Sequence, residues 1–257
     1  MNKPPNWLRL TLSILLTAGF TMALADDDDD DSDEIPFDEA NVYFELNNTD
    51  GDLGIHALID GEPWKKLEIE GPNERTQLLI RLRSKLRRQG LTELFFESAE
   101  PTFDELDPAD FFARFPEGDY EVSGDTIEGD ELESTAEVTH LLPAPPVISV
   151  NATELPDGCD GAVPEISTPF TVSWEEVELS HPELGRTNEP LEVEIYQLVL
   201  ERLSEPELNF TVDVESDITS VAIPSALVGS GDEFKVEVLV REESGNQTAT
   251  ESCFNVR

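Results

Sequence analysis

Basic side chains are scarce in this 257-residue chain: 16 Lys and Arg stand against 57 Asp and Glu, a formal net charge of −41. A surface of that sign repels the phosphate backbone and anionic lipid, so nucleic acid is not an expected partner. Histidine is nearly as rare. His56, His140 and His181 are far apart and lack the i, i+4 spacing of a helical zinc site, so each is expected as a strand or loop residue. After the first 25 residues no apolar run approaches the 18 or more needed to cross a bilayer, and no transmembrane segment is expected in the mature chain. A hydrolase elbow is also missing: "GSGD" at 229–232 lacks the second glycine and precedes a strand. No catalytic residue is nominated. With 57 acids in the chain, finding some pair of carboxylates would prove nothing.

The leader is readable. Lys3 and Arg9 precede an apolar run from Leu10 to Leu24, and Ala23-Leu24-Ala25 is a small-residue cleavage signal, so residues 1–25 are expected to be a signal peptide and the protein secreted or periplasmic. Only two cysteines remain for an oxidising compartment, and Cys159 and Cys253 most simply pair with each other. "DDDDDDSDE" at 26–34 is a block of like charge that cannot collapse, and residues 26–39 are expected as a disordered acidic tail.

From about residue 40 the apolar period is two. Val42, Phe44 and Leu46 fall on one face, then Ile55, Ala57 and Ile59, then Leu67 and Ile69, then Ile80 and Leu82. "TDGD", "IDGEP", "EGPN", "RQG" and "PEGD" supply the turns. One short helix is expected in "DELDPADFFARFP", with Asp107 as cap, Pro108 in the first position and Phe111, Phe112 and Phe115 as core plugs. "LPAPPVI" at 142–148 reads as a stiff extended connection. The expected organisation is therefore all-β: an N-terminal β-sandwich-like domain over 40–142 and a second sandwich over 145–257.

The second half carries a recognisable likeness. "PFTVSWEEV", "EIYQLVLE", "ITSVAIPSALVGSGDEFKVEVLVREESGNQT" and "CFNV" resemble successive strands of a fibronectin type III domain, with Trp174 and Tyr196 at the places of the paired aromatics that pack across its two sheets. The family's corner tyrosine is replaced by Phe234, whose ring cannot make the corner hydrogen bond. The N-terminal half is similar to secreted bacterial proteins of uncharacterised function that end in such a domain, and "FPEGDYEV" is similar to the entry into a late strand of immunoglobulin-like domains. The resemblance implies architecture and export, and no activity.

Two stretches invite chemistry. In "NNTDGDLGIHALIDG", Asn48, Asp50 and Asp52 could form a non-helical calcium site. An EF-hand register with Gly51 at position 6 puts Leu46 at 1 and Ala57 at 12, so both essential ligands are missing, and a strand-to-strand turn at Asp50-Gly51 is the expected reading. Between Arg75 and Arg88 lie six of the chain's basic residues. On a strand, Arg81, Arg83 and Lys85 would share one exposed face, either a solvated or gatekept edge or an anion-binding strip. The expectation is thus an exported, non-enzymatic interaction or spacer protein, with an envelope or extracellular protein or glycan as partner. No cofactor is expected, with calcium the one candidate ion. The alternatives are a calcium-dependent or carbohydrate-binding module and a carboxylate-based hydrolase.

Overall fold

The computed structural model describes residues 34–257, and the leader and the aspartate block over 26–33 lie outside them. In the first half the strands are β1 (Glu39–Asn47), β2 (Asp52–Glu70), β3 (Thr76–Arg81), β4 (Leu91–Glu97), β5 (Gly118–Thr126) and β6 (Glu131–Val138). Two short helices, α1 (Ser84–Gln89) and α2 (Pro108–Arg114), separate β3 from β4 and β4 from β5.

The long strand β2 organises this half. Its first part lies between β1 and β4, and its second part between β3 and β5. Register shifts between Asp60 and Trp64 mark the change, at Gly61-Glu62-Pro63, where Pro63 has no N–H to give to a ladder. The strand therefore serves both layers of the sandwich, and β6, paired to β5, returns to lie against β1. Val42, Phe44, Leu46, Ile55, Ala57 and Ile59 all point into the buried space between the layers. Helix α2 closes one end: Asp107 Oδ1 accepts from the Ala109 N–H at 2.8 Å, and the Phe111 and Phe112 rings meet Phe44 edge-on at 5.6 and 5.8 Å. At the entry to β5 the buried Tyr120 donates its hydroxyl to the Pro116 carbonyl at 3.1 Å, which is the tyrosine-corner arrangement of immunoglobulin-like sandwiches.

The second half contains β7 (Ile148–Val150), β8 (Thr153–Glu154), β9 (Glu165–Ile166), β10 (Thr171–Trp174), β11 (Val193–Arg202), β12 (Leu208–Glu215), β13 (Ser220–Ala222), β14 (Glu233–Glu242) and β15 (Gln247–Val256). One sheet runs β13-β10-β7-β8, and β12-β11-β14-β15 forms the other layer, giving a fibronectin type III-like sandwich. Trp174 and Tyr196 pack with ring centroids 5.4 Å apart in its core. The Tyr196 hydroxyl accepts from the Val177 N–H at 2.9 Å. Phe234 stacks on Phe254 with ring centroids 5.5 Å apart, and a phenyl ring can make no corner hydrogen bond. Cys159 and Cys253 form a disulfide.

The two cores are separate, but the sheet is not. Strand β15 pairs with β1 in parallel, Glu45 opposite Gln247 and Asn47 opposite Ala249, so one sheet continues from β12 through the seam to β6. The buried Asn246 fastens the seam. Its Oδ1 accepts from the Phe44 N–H at 2.9 Å and its Nδ2 donates to the carbonyls of Thr139 and Leu141 at 3.0 and 3.3 Å. The connection over 142–148 is held as well: Pro143 O accepts from Thr248 Oγ1 at 2.8 Å.

Two expectations are corrected. Ordered contacts start before residue 40: Ile35 makes an isolated bridge through backbone hydrogen bonds with Glu131 and Glu133, Phe37 enters the first core, and β1 begins at Glu39. Two apolar side chains next to the acidic block bury enough surface to order that stretch. Arg81, Arg83 and Lys85 do not share a strand face: β3 ends at Arg81, Arg83 is the N-cap of α1 and Lys85 lies inside it. Helix α1 ends at Gly90, whose φ of +76° few other residues accept, with its N–H on the Leu86 carbonyl.

Candidate functional site

The turn between β1 and β2 fixes what comes together next. Gly51, at φ +66°, donates its N–H to the Asn47 carbonyl at 2.9 Å, and the resulting register sets Tyr43 opposite His56 and Glu45 opposite Gly54. Since Val42 and Phe44 face the core, Tyr43 and Glu45 face outward, and so does His56. His56 is nonetheless only 2% exposed. Tyr43 and Phe95 flank its ring, with centroids 5.4 and 6.1 Å away, and carboxylates cover both nitrogens.

Those carboxylates come from different elements. Glu100 follows β4, and its Oε1 lies 3.0 Å from His56 Nε2; Glu45 Oε2, on β1, lies 3.6 Å from Nδ1. The Glu100 side chain reaches the ring by crossing directly over Gly54, where a Cβ would meet Glu100 Cγ at 2.8 Å. A side chain at this position would have to displace Glu100. Glu45 also accepts a hydrogen bond from Gln247 Nε2, and Gln247 Oε1 accepts from Arg241 Nε at 3.1 Å. A polar chain therefore runs Arg241, Gln247, Glu45, His56, Glu100 across β14, β15, β1 and β2, straddling the seam.

Acid crowding shapes the electrostatics. Burial pushes the Glu45 carboxyl up and Glu100 and Glu97 push the same way, against the His56 and Gln247 contacts that favour the ionised form. Asp52 is pushed up to about 6 by burial, then by Glu100, Asp50 and other acids; its Oδ1 is buried without a hydrogen-bond partner. Further along the same face Glu237, directly across from Glu251, is pushed up to about 7, by burial first and by Glu251 second. Lys235 offsets part of this, lying 2.9 Å from Glu251 and 3.4 Å from Glu201.

The sequence candidates are dispersed. Asn48 Oδ1 lies 3.4 Å from His181 Nε2, Asp50 Oδ2 accepts from Asn47 Nδ2 at 3.3 Å, and Asp52 turns toward the acids around Glu100, so the structure gives these three side chains separate partners. Arg81, Arg83 and Lys85 are exposed and make no salt bridge among the described residues. His140 stacks on Phe112 at 4.3 Å with Nε2 2.8 Å from the Phe115 carbonyl, and His181 Nδ1 accepts from the N–H groups of Glu183 and Leu184. Both are structural. His56, expected as a strand or loop residue, is instead the centre of the cluster, and its two carboxylates, Glu45 and Glu100, are not among the sequence candidates. The signal for Glu45 was its place one step diagonal from His56 in the hairpin.

A depression at the seam is lined by Asn41, Thr135, Glu137, Thr139, Glu242 and Ser244. Glu242 is buried and its carboxyl is pushed up by burial, but its oxygens accept from the N–H groups of Ser244 and Asn246 and from the Ser244 hydroxyl. That carboxylate closes the β14–β15 turn.

No family model and no curated protein matches the chain. It is similar to the solved structure of the chicken CNTN1 FN1–FN3 domains at 11% identity, covering 86% of this chain and 65% of that one with a TM-score of 0.34. It is also similar to a cytokine receptor complex at 13% identity (84% and 96% covered, TM-score 0.28). A tetra-tandem repeat from the extending region of a large adhesion protein matches at 11% identity (85% and 50% covered, TM-score 0.27). The chain thus spans just under two thirds of the CNTN1 fragment.

Proposed function

We propose that this is an exported, non-enzymatic interaction or spacer protein of the cell envelope or extracellular space, made of two sandwich domains that act as one stiff unit. The observation that carries the reading is the β1–β15 ladder. A linker alone would let two domains move independently, whereas a shared sheet, fastened by Asn246, holds them at one angle. The leader-like N-terminus and the Cys159–Cys253 disulfide support an oxidising compartment outside the cytoplasm. No helix among the described residues is long and apolar enough to cross a membrane.

Spin labels at exposed Glu128 and Asp217, one in each half, test the stiffness. A single narrow distance distribution is expected. A broad one would mean that the halves swing freely, and the spacer role would have to be given up. A pull-down of envelope and culture components with the mature protein, with and without calcium, then addresses the partner.

A further inference from the structure

The outward face at the seam contains a polar group that the fold alone leaves unbalanced. Neutral imidazole has one N–H donor and one lone pair, while ionised carboxylates only accept. Both His56 nitrogens face carboxylate oxygens, at 3.0 and 3.6 Å. A neutral His56 that donates from Nε2 to Glu100 leaves its Nδ1 lone pair without a donor, 3.6 Å from Glu45 Oε2, on a ring that is 2% exposed. Nearby on the same strand Asp52 Oδ1 is buried with no donor, within the electrostatic reach of Glu100 and Glu45. A bound cation would satisfy these acceptors, and the ring plus two carboxylates is a ligand set for one.

We propose that Glu45, His56 and Glu100 form a site for a divalent cation of the zinc class. The donor atoms of these three residues lie within 4.8 Å of one another. Tetrahedral zinc with bonds of about 2.0–2.2 Å needs ligands roughly 3.3–3.6 Å apart, so small side-chain rotations suffice. One imidazole nitrogen with carboxylate oxygens favours zinc over magnesium or calcium, which prefer all-oxygen shells. Ligation through one ring nitrogen requires the carboxylate that lies at the other nitrogen to rotate toward the ion, which the partial exposure of both glutamates permits. Gly54 completes the site by leaving the path of the Glu100 side chain free. The Glu45 and Glu100 side chains are 25% and 24% exposed, so the ion and a water ligand have an entry from solvent. Gln247 already grips Glu45 from β15, so an ion here would tie the two halves together.

The test uses the full mature protein, stripped with a chelator, in zinc titrations read by calorimetry and by 15N resonances of the three histidine rings. A chain with this much negative charge gathers cations loosely, so magnesium and the half-buried Glu133→Gln variant, away from the three ligands, serve as controls. One zinc per chain is expected, with His56 alone among the three rings shifting on binding. His56→Gln and Glu100→Gln should each weaken binding by at least about tenfold, Gly54→Ala should do the same by displacing Glu100, and Glu133→Gln should have no effect. If His56→Gln does not fold, the partly exposed Glu100→Gln carries the test. Equal zinc and magnesium affinity, shifts at His140 or His181, or the same loss for Glu133→Gln as for Glu100→Gln would overturn the proposal.

Discussion

Replacing Asn246 by alanine should cost about 3–5 kcal/mol of folding stability, although the residue lies in a surface hairpin and looks replaceable in the sequence. The structure gives the terms. The Phe44 N–H is buried and loses its acceptor, at about 1–3 kcal/mol for an unsatisfied donor. The carbonyls of Thr139 and Leu141 lose their donor, at about 1 kcal/mol each. Asn246→Asp is the sharper probe. Its carboxylate would still accept from Phe44 but would turn an oxygen toward two carbonyls and add charge beside Glu242, so it should be at least as damaging as alanine. Urea unfolding measures the loss. With a slope of about 2–3 kcal/mol per molar for a chain of this size, the midpoint should fall by about 1–2.5 M. Trp64 in the first core and Trp174 in the second, each kept alone by replacing the other tryptophans with phenylalanine, report the halves separately. Their transitions should coincide in the parent and separate in the variant. A midpoint moved by less than about 0.3 M, with both probes still coincident, would refute the claim that this amide holds the seam.

Other parts of the molecule make equally definite demands. Glu237 has its folded pKa raised to about 7 from 4.5, so folding gains from its proton below that range and the gain disappears as pH rises through about 7. Glu237→Gln should therefore add about 1–2 kcal/mol at pH 8, after allowing for solvent screening, and almost nothing near pH 5; equal gains at both pH values in paired melts would contradict this. Opening the Cys159–Cys253 bridge, with a sequence separation of 94, should lower stability by about 4–5 kcal/mol, measured as a denaturant midpoint before and after replacing both with serine. Tyr120→Phe removes only the bond to the Pro116 carbonyl and should cost about 1 kcal/mol in a thermal melt, and an unchanged Tm would show that the corner contributes nothing.

Much of the sandwich architecture was legible because period-two patterning is a local property. Val42, Phe44 and Leu46 announce their buried face without reference to anything distant, and the Asp107-Pro108 cap announces α2. Helix α1 was hidden for the matching reason: it buries no residue, so no apolar period marks it, and its alternating Arg and Lys imitate an exposed strand face. The seam was hidden because it joins residues 202 apart, as Phe44 and Asn246 are. Asn246 begins an Asn-x-Thr sequon that looks accidental, and only the pairing of β15 with β1 gives its amide a purpose. His56 was misread by a sound rule. A residue in the polar phase of a strand normally faces water, but here Tyr43, Phe95, Glu45 and Glu100 cover it, and Glu100 reaches it from outside the ladder.

The same charge imbalance explains why the cluster sits where it does. A chain with 57 acids cannot keep like charges off every cross-strand pair, and Glu237 opposite Glu251 is such a pair, destabilising in itself. On this face the few positive groups stand where the ladder must stay closed: Lys235 between Glu201 and Glu251, Arg241 holding Gln247 against Glu45, and His56 between Glu45 and Glu100. Lys and Arg side chains bring a fixed positive charge, whereas the imidazole of His56 is cationic only when both ring nitrogens carry protons. The neutralising chain is thus weakest at its histidine, on the N-terminal side of the seam. Any cation that binds there reinforces the contact that keeps the two sandwiches in one sheet, so ligand binding and stiffness draw on the same few side chains.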